Sequence, residues 1–327
     1  MAKKKGPSKK TRKSTRDGSG TPSKARGART ARPVIAPPGL PPTTTAYIKA
    51  NNRDHRAIER AIDSSRKKIF SSYQVQLRQA STRRAGLPPT IFAEGDSWFN
   101  YPLGRGIVTQ LQALINSPIA NFAWPGAETR QLLALHERQE IEKRLTDGPS
   151  RGRKWDVLLF SGGGDDIVGD QMVLFLDKFD PTKSPAAVLN SRFDGVLNSV
   201  IGAYQDLVAL RNTLSPTTLI VGHAYDYAWA TGQGACWLGP WLRPSLDYVG
   251  VPRGDAQHMV VVEMLKRFDA RLRSLATAAG NFIVVPTHNT LKTVGEWDNE
   301  LHPKDPGFGL LAQKFQSTLQ QHFGASI

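Results

Sequence analysis

A serine at the point where a short apolar run ends in a tight turn is a candidate nucleophile. Thr90-Ile91-Phe92-Ala93 followed by Glu94-Gly95-Asp96-Ser97-Trp98 has that form. A parallel strand ending this way lifts one side chain over the carboxyl edge of its sheet, where open α/β folds bind ligands. The turn also leaves backbone N–H groups to face a developing negative charge. Serine is a weak nucleophile without a base, and Trp297-Asp298-Asn299-Glu300-Leu301-His302-Pro303 supplies a histidine near the carboxyl end. An imidazole of ordinary pKa can remove the hydroxyl proton and return it to a leaving alcohol near neutral pH. Two further motifs, Trp124-Pro125-Gly126-Ala127-Glu128-Thr129 and Ser161-Gly162-Gly163-Gly164-Asp165-Asp166, lie between them.

The elements that must position these groups alternate along the chain. Strand candidates are Thr90–Glu94, Ile119–Ala123, Asp156–Ser161, Thr217–Gly222 and Asn281–Val285, each short and rich in Val, Ile, Leu or Phe. Helical periodicity fills Ile107–Ile115, Thr129–Leu145, Ala187–Leu214, Gln257–Ala279 and Phe308–Phe323. Regular alternation predicts an α/β protein, a three-layer α/β/α sandwich around a five-stranded, mainly parallel sheet. The motifs then fall at the carboxyl ends of successive strands or just before the last helix. Surplus chain sits in two inserted loops, near 166–185 and 225–254, also at carboxyl ends of strands, where long loops tend to carry function.

In order and placement the four motifs make the chain resemble the SGNH (GDSL-like) hydrolases over roughly residues 88–325. The resemblance implies a flavodoxin-like fold and hydrolysis of an ester, thioester or related acyl bond without metal or other cofactor. By position it assigns Ser97 as nucleophile, His302 as general base, and Gly126 to the oxyanion hole beside the Ser97 N–H. The substrate it implies is a small-molecule, lipid or carbohydrate ester, cleaved through a covalent acyl-enzyme. Trp98 and Tyr101, just after the serine, and Tyr225, after the fourth strand, are expected to line the substrate cleft.

Two positions depart from the family pattern. Asp165 stands where an asparagine ordinarily donates to the oxyanion, and an ionised carboxylate cannot donate. Either Asp165 is held protonated, or it points away and a glycine backbone substitutes, or the reaction is weak. The family's aspartate three residues before the histidine is here Asn299; Asp298 is expected to take that role through a one-residue bulge, with Asn299 or a backbone carbonyl as the next choice. In a serine protease triad the same Asp→Asn change costs about 10⁴ in rate, a known case.

The formal charge of +15 is concentrated at one end: residues 1–33 hold twelve Lys or Arg and one acid, a net +11. Residues 1–42 are predicted to be a disordered basic tail, suited to nonspecific contact with polyanions through residues 1–33. Residues 43–87 read as a basic helical extension, and 88–327 as the hydrolase-like domain. No apolar stretch has the length of a secretory signal core or a membrane span, and the single Cys236 excludes an intrachain disulfide. A cytoplasmic location is expected on these grounds. Trp229, Trp237 and Trp241 read either as packing of the second inserted loop or as a lid. The competing reading of the whole chain is a catalytically weak binding protein of this fold, tethered by its tail to nucleic acid or an anionic surface.

Overall fold

A computed structural model describes residues 44–82, 88–102, 105–235 and 238–327. The basic tail, Cys236 and Trp237 lie outside them. The chain divides between Ala57 and Ile58 into two units; of the first, residues 44–57 are described and are helical.

Five strands, β1 (Ile91–Gly95), β2 (Ile119–Asn121), β3 (Val157–Ser161), β4 (Leu219–His223) and β5 (Phe282–Val285), form one sheet in the order β2-β1-β3-β4-β5. Every pairing is parallel. β1, β3 and β4 are buried along their whole length, which is why they read as unbroken apolar runs. The helices are α1 (Thr44–Thr82), α2 (Ile107–Leu114), α3 (Thr129–Leu132), α4 (Leu135–Asp147), α5 (Gly164–Ile167), α6 (Ser191–Leu214), α7 (Arg243–Tyr248), α8 (Asp255–Ala279) and α9 (Asp305–Phe323). α2 packs on α9, and α6 packs on α4 and α8, giving a helical layer on each face of the sheet. The strand order is that of flavodoxin-like sheets, and β1, from which Ser97 emerges, lies at the switch point where such folds open a crevice.

Two expected helices are divided. The run Thr129–Leu145 becomes α3 and α4 because Ala134 turns extended (φ −68°, ψ 163°), while Glu128 and Gln131 cap α3 reciprocally. α6 starts at Ser191, where the Asn190 side chain accepts the Arg192 N–H at 3.0 Å; the preceding Pro185–Val188 is a separate 3₁₀ turn. Leucine-rich periodicity extends across both breaks, but capping ends the helices.

Gly95 controls the presentation of Ser97. Its φ is +147°, and a Cβ there would stand 2.3 Å from the Ser161 carbonyl oxygen on the neighbouring strand. Gly95→Ala is therefore expected to destabilise the protein by about 3 kcal/mol or more in chemical unfolding. A loss under about 1 kcal/mol would show that the strand end can relax, contrary to this account.

Candidate active site

The carboxyl edge of the sheet brings Ser97 and His302 together: Ser97 Oγ lies 2.6 Å from His302 Nε2. Both are largely buried. His302 sits in a tight turn closed by a bridge between Trp297 and Pro303 and by the Asp298 N–H donating to the His302 carbonyl at 2.8 Å. Within it, Asn299 Oδ1 accepts the Leu301 N–H at 2.9 Å and the His302 N–H at 3.0 Å, an Asx turn.

Those two backbone donors identify the amide atom facing His302 as oxygen. His302 Nδ1 is 3.0 Å from the same oxygen, so Nδ1 carries the hydrogen and Nε2 presents its lone pair to the Ser97 hydroxyl. Burial, with Arg105 adding to it, depresses the His302 pKa to about 3. The imidazole is thus neutral at rest, in the tautomer a general base requires.

Asp298 does not face the imidazole. Its Oδ2 accepts the Tyr101 hydroxyl at 3.1 Å and lies 3.8 Å from Arg105. The expected bulge is absent because the turn from Asp298 to His302 has no slack, and Asn299 occupies the position beside Nδ1. Tyr101, expected as a substrate-lining residue, lies beneath the base: its ring stacks on the imidazole with centroids 4.2 Å apart, and its hydroxyl accepts Asn299 Nδ2–H at 2.9 Å.

A second network surrounds Asp96. Its Oδ1 accepts the Trp98 N–H at 3.0 Å and the Ser161 hydroxyl at 2.7 Å, and its Oδ2 accepts the Tyr225 hydroxyl. His223 Nδ1 accepts the Tyr225 N–H at 3.1 Å, so its Nε2–H donates to Ser161 Oγ at 2.9 Å. Burial, with a smaller contribution from His288, lowers the His223 pKa to about 3, which keeps this chain of donors pointed at Asp96. Tyr225 takes a left-handed backbone (φ 64°), unusual for a bulky residue. That strain places its hydroxyl to receive the Gly164 N–H at 2.8 Å. The Gly164 amide is therefore already engaged by Tyr225.

Asp165 lines the cleft with Ser97, His302, Trp98 and Tyr225. The cleft is small, about 40 Å³. Burial raises the carboxyl pKa of both Asp96 and Asp165. The donors on Asp96 work against that rise, whereas the neighbouring charges of Asp96, Asp166 and Glu128 push Asp165 further, well above the ordinary carboxyl range. Next to it Asp166 accepts the Thr129 N–H at 2.9 Å and the Thr129 hydroxyl at 2.7 Å, tying the Gly126 loop to the end of β3. Gly126 is exposed, with φ +77° and open space where a Cβ would project. Among the described residues, neither the Ser97 nor the Gly126 N–H has a hydrogen-bond acceptor.

The inserted loop near 225–254 is fastened by Glu300. This fully buried carboxylate accepts the N–H groups of Gly232 at 2.7 Å, Trp241 at 2.6 Å, Leu242 at 2.6 Å and Arg243 at 3.1 Å. Trp241 approaches His302 edge-on at 6.0 Å, while Trp229 stacks on His258 of α8 at 3.6 Å. Trp98 is buried, and its indole N–H donates to the Leu301 carbonyl at 3.0 Å, joining the serine turn to the histidine turn. Asn299, the second choice for the partner of His302, takes that place; Glu300 as an anchor of the inserted loop and the Asp96 network are the parts that sequence reasoning missed. Glu300 is visible in the sequence only as a polar neighbour of His302, and nothing local signals its partners.

No family model matches the chain, and no curated protein matches it. Among solved structures it is similar to a lipase from a goat rumen metagenome (16% identity, TM-score 0.44, 70% of this chain and 96% of that chain). It is also similar to phospholipase A1 from Streptomyces albidoflavus (14%, 0.45, 70% and 99%) and to a carbohydrate esterase family 3 structure from Talaromyces cellulolyticus (11%, 0.40, 72% and 97%). Others it resembles are described as GDSL-like or SGNH hydrolases.

Proposed function

We propose that this protein is a serine hydrolase of SGNH type that cleaves a carboxylic ester through an acyl-serine intermediate. The observation that carries the reading is the 2.6 Å contact from Ser97 Oγ to a neutral, Nδ1-protonated His302. In the first half-reaction Ser97 Oγ bonds to the acyl carbon as its proton passes to His302 Nε2. The imidazolium then protonates the leaving alcohol as its bond to carbon breaks. In the second half a water gives its proton to His302, attacks the acyl-serine and releases the acid as Ser97 regains its hydrogen. The Ser97 and Gly126 N–H groups supply two donors for the oxyanion, each worth on the order of 3 kcal/mol in the transition state.

Asp165 supplies the third donor as a neutral carboxylic acid, in the manner of acids kept protonated in apolar sites. This has a thermodynamic consequence. A carboxyl whose folded pKa lies above its unfolded value binds more protons when folded, so its contribution to stability is lost as pH rises through that window. Asn has no proton to lose. Asp165→Asn should therefore match the wild type in melting temperature near pH 4 and exceed it at pH 8, while keeping ester hydrolysis because the amide also donates. A melting difference independent of pH would remove the neutral-acid assignment.

Hydrolysis of p-nitrophenyl esters from acetate to octanoate tests the function itself; no turnover above the solvent rate across the series would overturn it. The amide in place of a carboxylate beside His302 favours a second reading, a binding protein of weak or absent activity, and the same assay separates the two. The basic tail, on this proposal, contributes salt-dependent polyanion binding separable from hydrolysis.

A further inference from the structure

We infer that Asp298 acts on His302 at a distance, through Asn299 and Tyr101, so that a relay of three side chains replaces the carboxylate missing from the imidazole. The inference rests on the hydrolase reading for its catalytic meaning but on geometry for its existence. His302 Nδ1–H donates to Asn299 Oδ1 at 3.0 Å, Asn299 Nδ2–H to the Tyr101 oxygen at 2.9 Å, and the Tyr101 hydroxyl to Asp298 Oδ2 at 3.1 Å.

Every bond in the series donates toward the carboxylate. The direction is forced at each link. The Leu301 and His302 N–H groups fix the amide oxygen on the imidazole side, which leaves the amide N–H₂ for Tyr101. The phenol, already accepting from that N–H₂, has its one hydrogen left for Asp298. Chains aligned this way polarise one another: a carboxylate drawing on the phenol makes its oxygen a better acceptor, and the amide oxygen in turn becomes more negative toward Nδ1–H. Partial negative charge is thereby delivered where the imidazolium forms.

The surroundings suit a relay. Asn299 is buried, and the Tyr101 ring covers the imidazole face at 4.2 Å, so water does not compete along the middle of the path. Arg105 lies over the other part of the Tyr101 environment, 4.7 Å from the ring centroid, and 3.8 Å from Asp298; it is also 3.7 Å from Asp305. Arg105 opposes a positive imidazole, and Asp298 is the carboxylate that meets this guanidinium at the far end of the path. Asp298, Asn299 and Tyr101 are positioning residues in this scheme, since none touches the reacting atoms.

The test is a comparison of Asp298→Asn in two backgrounds. Asn at 298 keeps an acceptor for the phenol and removes only the charge. In the otherwise wild-type protein it should move the low-field Nδ1–H proton resonance of His302 upfield and lower kcat about tenfold with KM unchanged. In an Asn299→Asp background the phenol turns to donate to the new carboxylate, so adding Asp298→Asn should change neither quantity. Should Asn299→Asp fail to fold, Tyr101→Phe cuts the same path, and Asp298→Asn should be silent there also. Equal effects of Asp298→Asn in intact and cut backgrounds, or no effect in the intact one, would overturn the relay. The resonance is read on the resting protein, so a chain that cleaves no ester would defeat the hydrolase reading while the relay is still measured.

Discussion

Ser97→Ala is expected to lower kcat for an activated ester by about four to six orders of magnitude while leaving the melting temperature within a few degrees of wild type. The alanine removes only Oγ, whose partner is His302 Nε2. It leaves untouched the Asp96 network that fixes the turn, since the bonds from Trp98 N–H, Ser161 and Tyr225 end on Asp96 rather than on Ser97. Loss of activity without loss of stability distinguishes a nucleophile from a turn serine. His302→Ala should cost about as much in rate because nucleophile and base act as one unit, so the double variant should be hardly slower than either single one. Additive losses would indicate that the two residues do not share a step.

Glu300→Ala is expected to be the most damaging change outside that pair, destabilising the protein by on the order of 3–5 kcal/mol and abolishing activity in whatever folds. Four backbone N–H groups from residues 232 to 243 converge on this one buried carboxylate. Its removal leaves them in a site closed to water. Glu300→Gln should be nearly as harmful, since half of the amide end is itself a donor facing donors. Asp298→Ala, at a side chain about a third exposed, should shift unfolding by no more than about 1 kcal/mol. Urea unfolding of the three variants checks the order. A Glu300 variant as stable as Asp298→Ala would mean that the inserted loop is held by other contacts.

This order inverts what spacing alone suggests. The alternation of buried strands and amphipathic helices, and the placement of Ser97 at the end of β1 and of His302 just before the last helix, follow from periodicity and turn chemistry, so the sheet and the candidate nucleophile and base are legible from the chain. Which of Asp298, Asn299 and Glu300 turns toward the imidazole is not, because it depends on a turn whose geometry is set by an Asn299 side chain bonding its own backbone. Glu300 finds its partners 57 to 68 residues away in sequence, beyond any local pattern. Tyr225 reaches Asp96 across 129 positions from a backbone conformation no propensity favours. Asp165 is the intermediate case: the departure is visible in the sequence, but the upward push on its carboxyl pKa comes from burial beside Asp96 and Asp166, which only the fold brings about.

The most direct test of nucleophilic catalysis is labelling with a fluorophosphonate followed by peptide mass spectrometry. A serine activated by a neutral imidazole loses its proton to His302 as Oγ attacks phosphorus and fluoride departs. The account predicts one adduct per chain, on the peptide carrying Ser97, absent from Ser97→Ala and strongly slowed in His302→Ala. No adduct on the folded wild-type protein, or an adduct on a different serine that persists in Ser97→Ala, would contradict it.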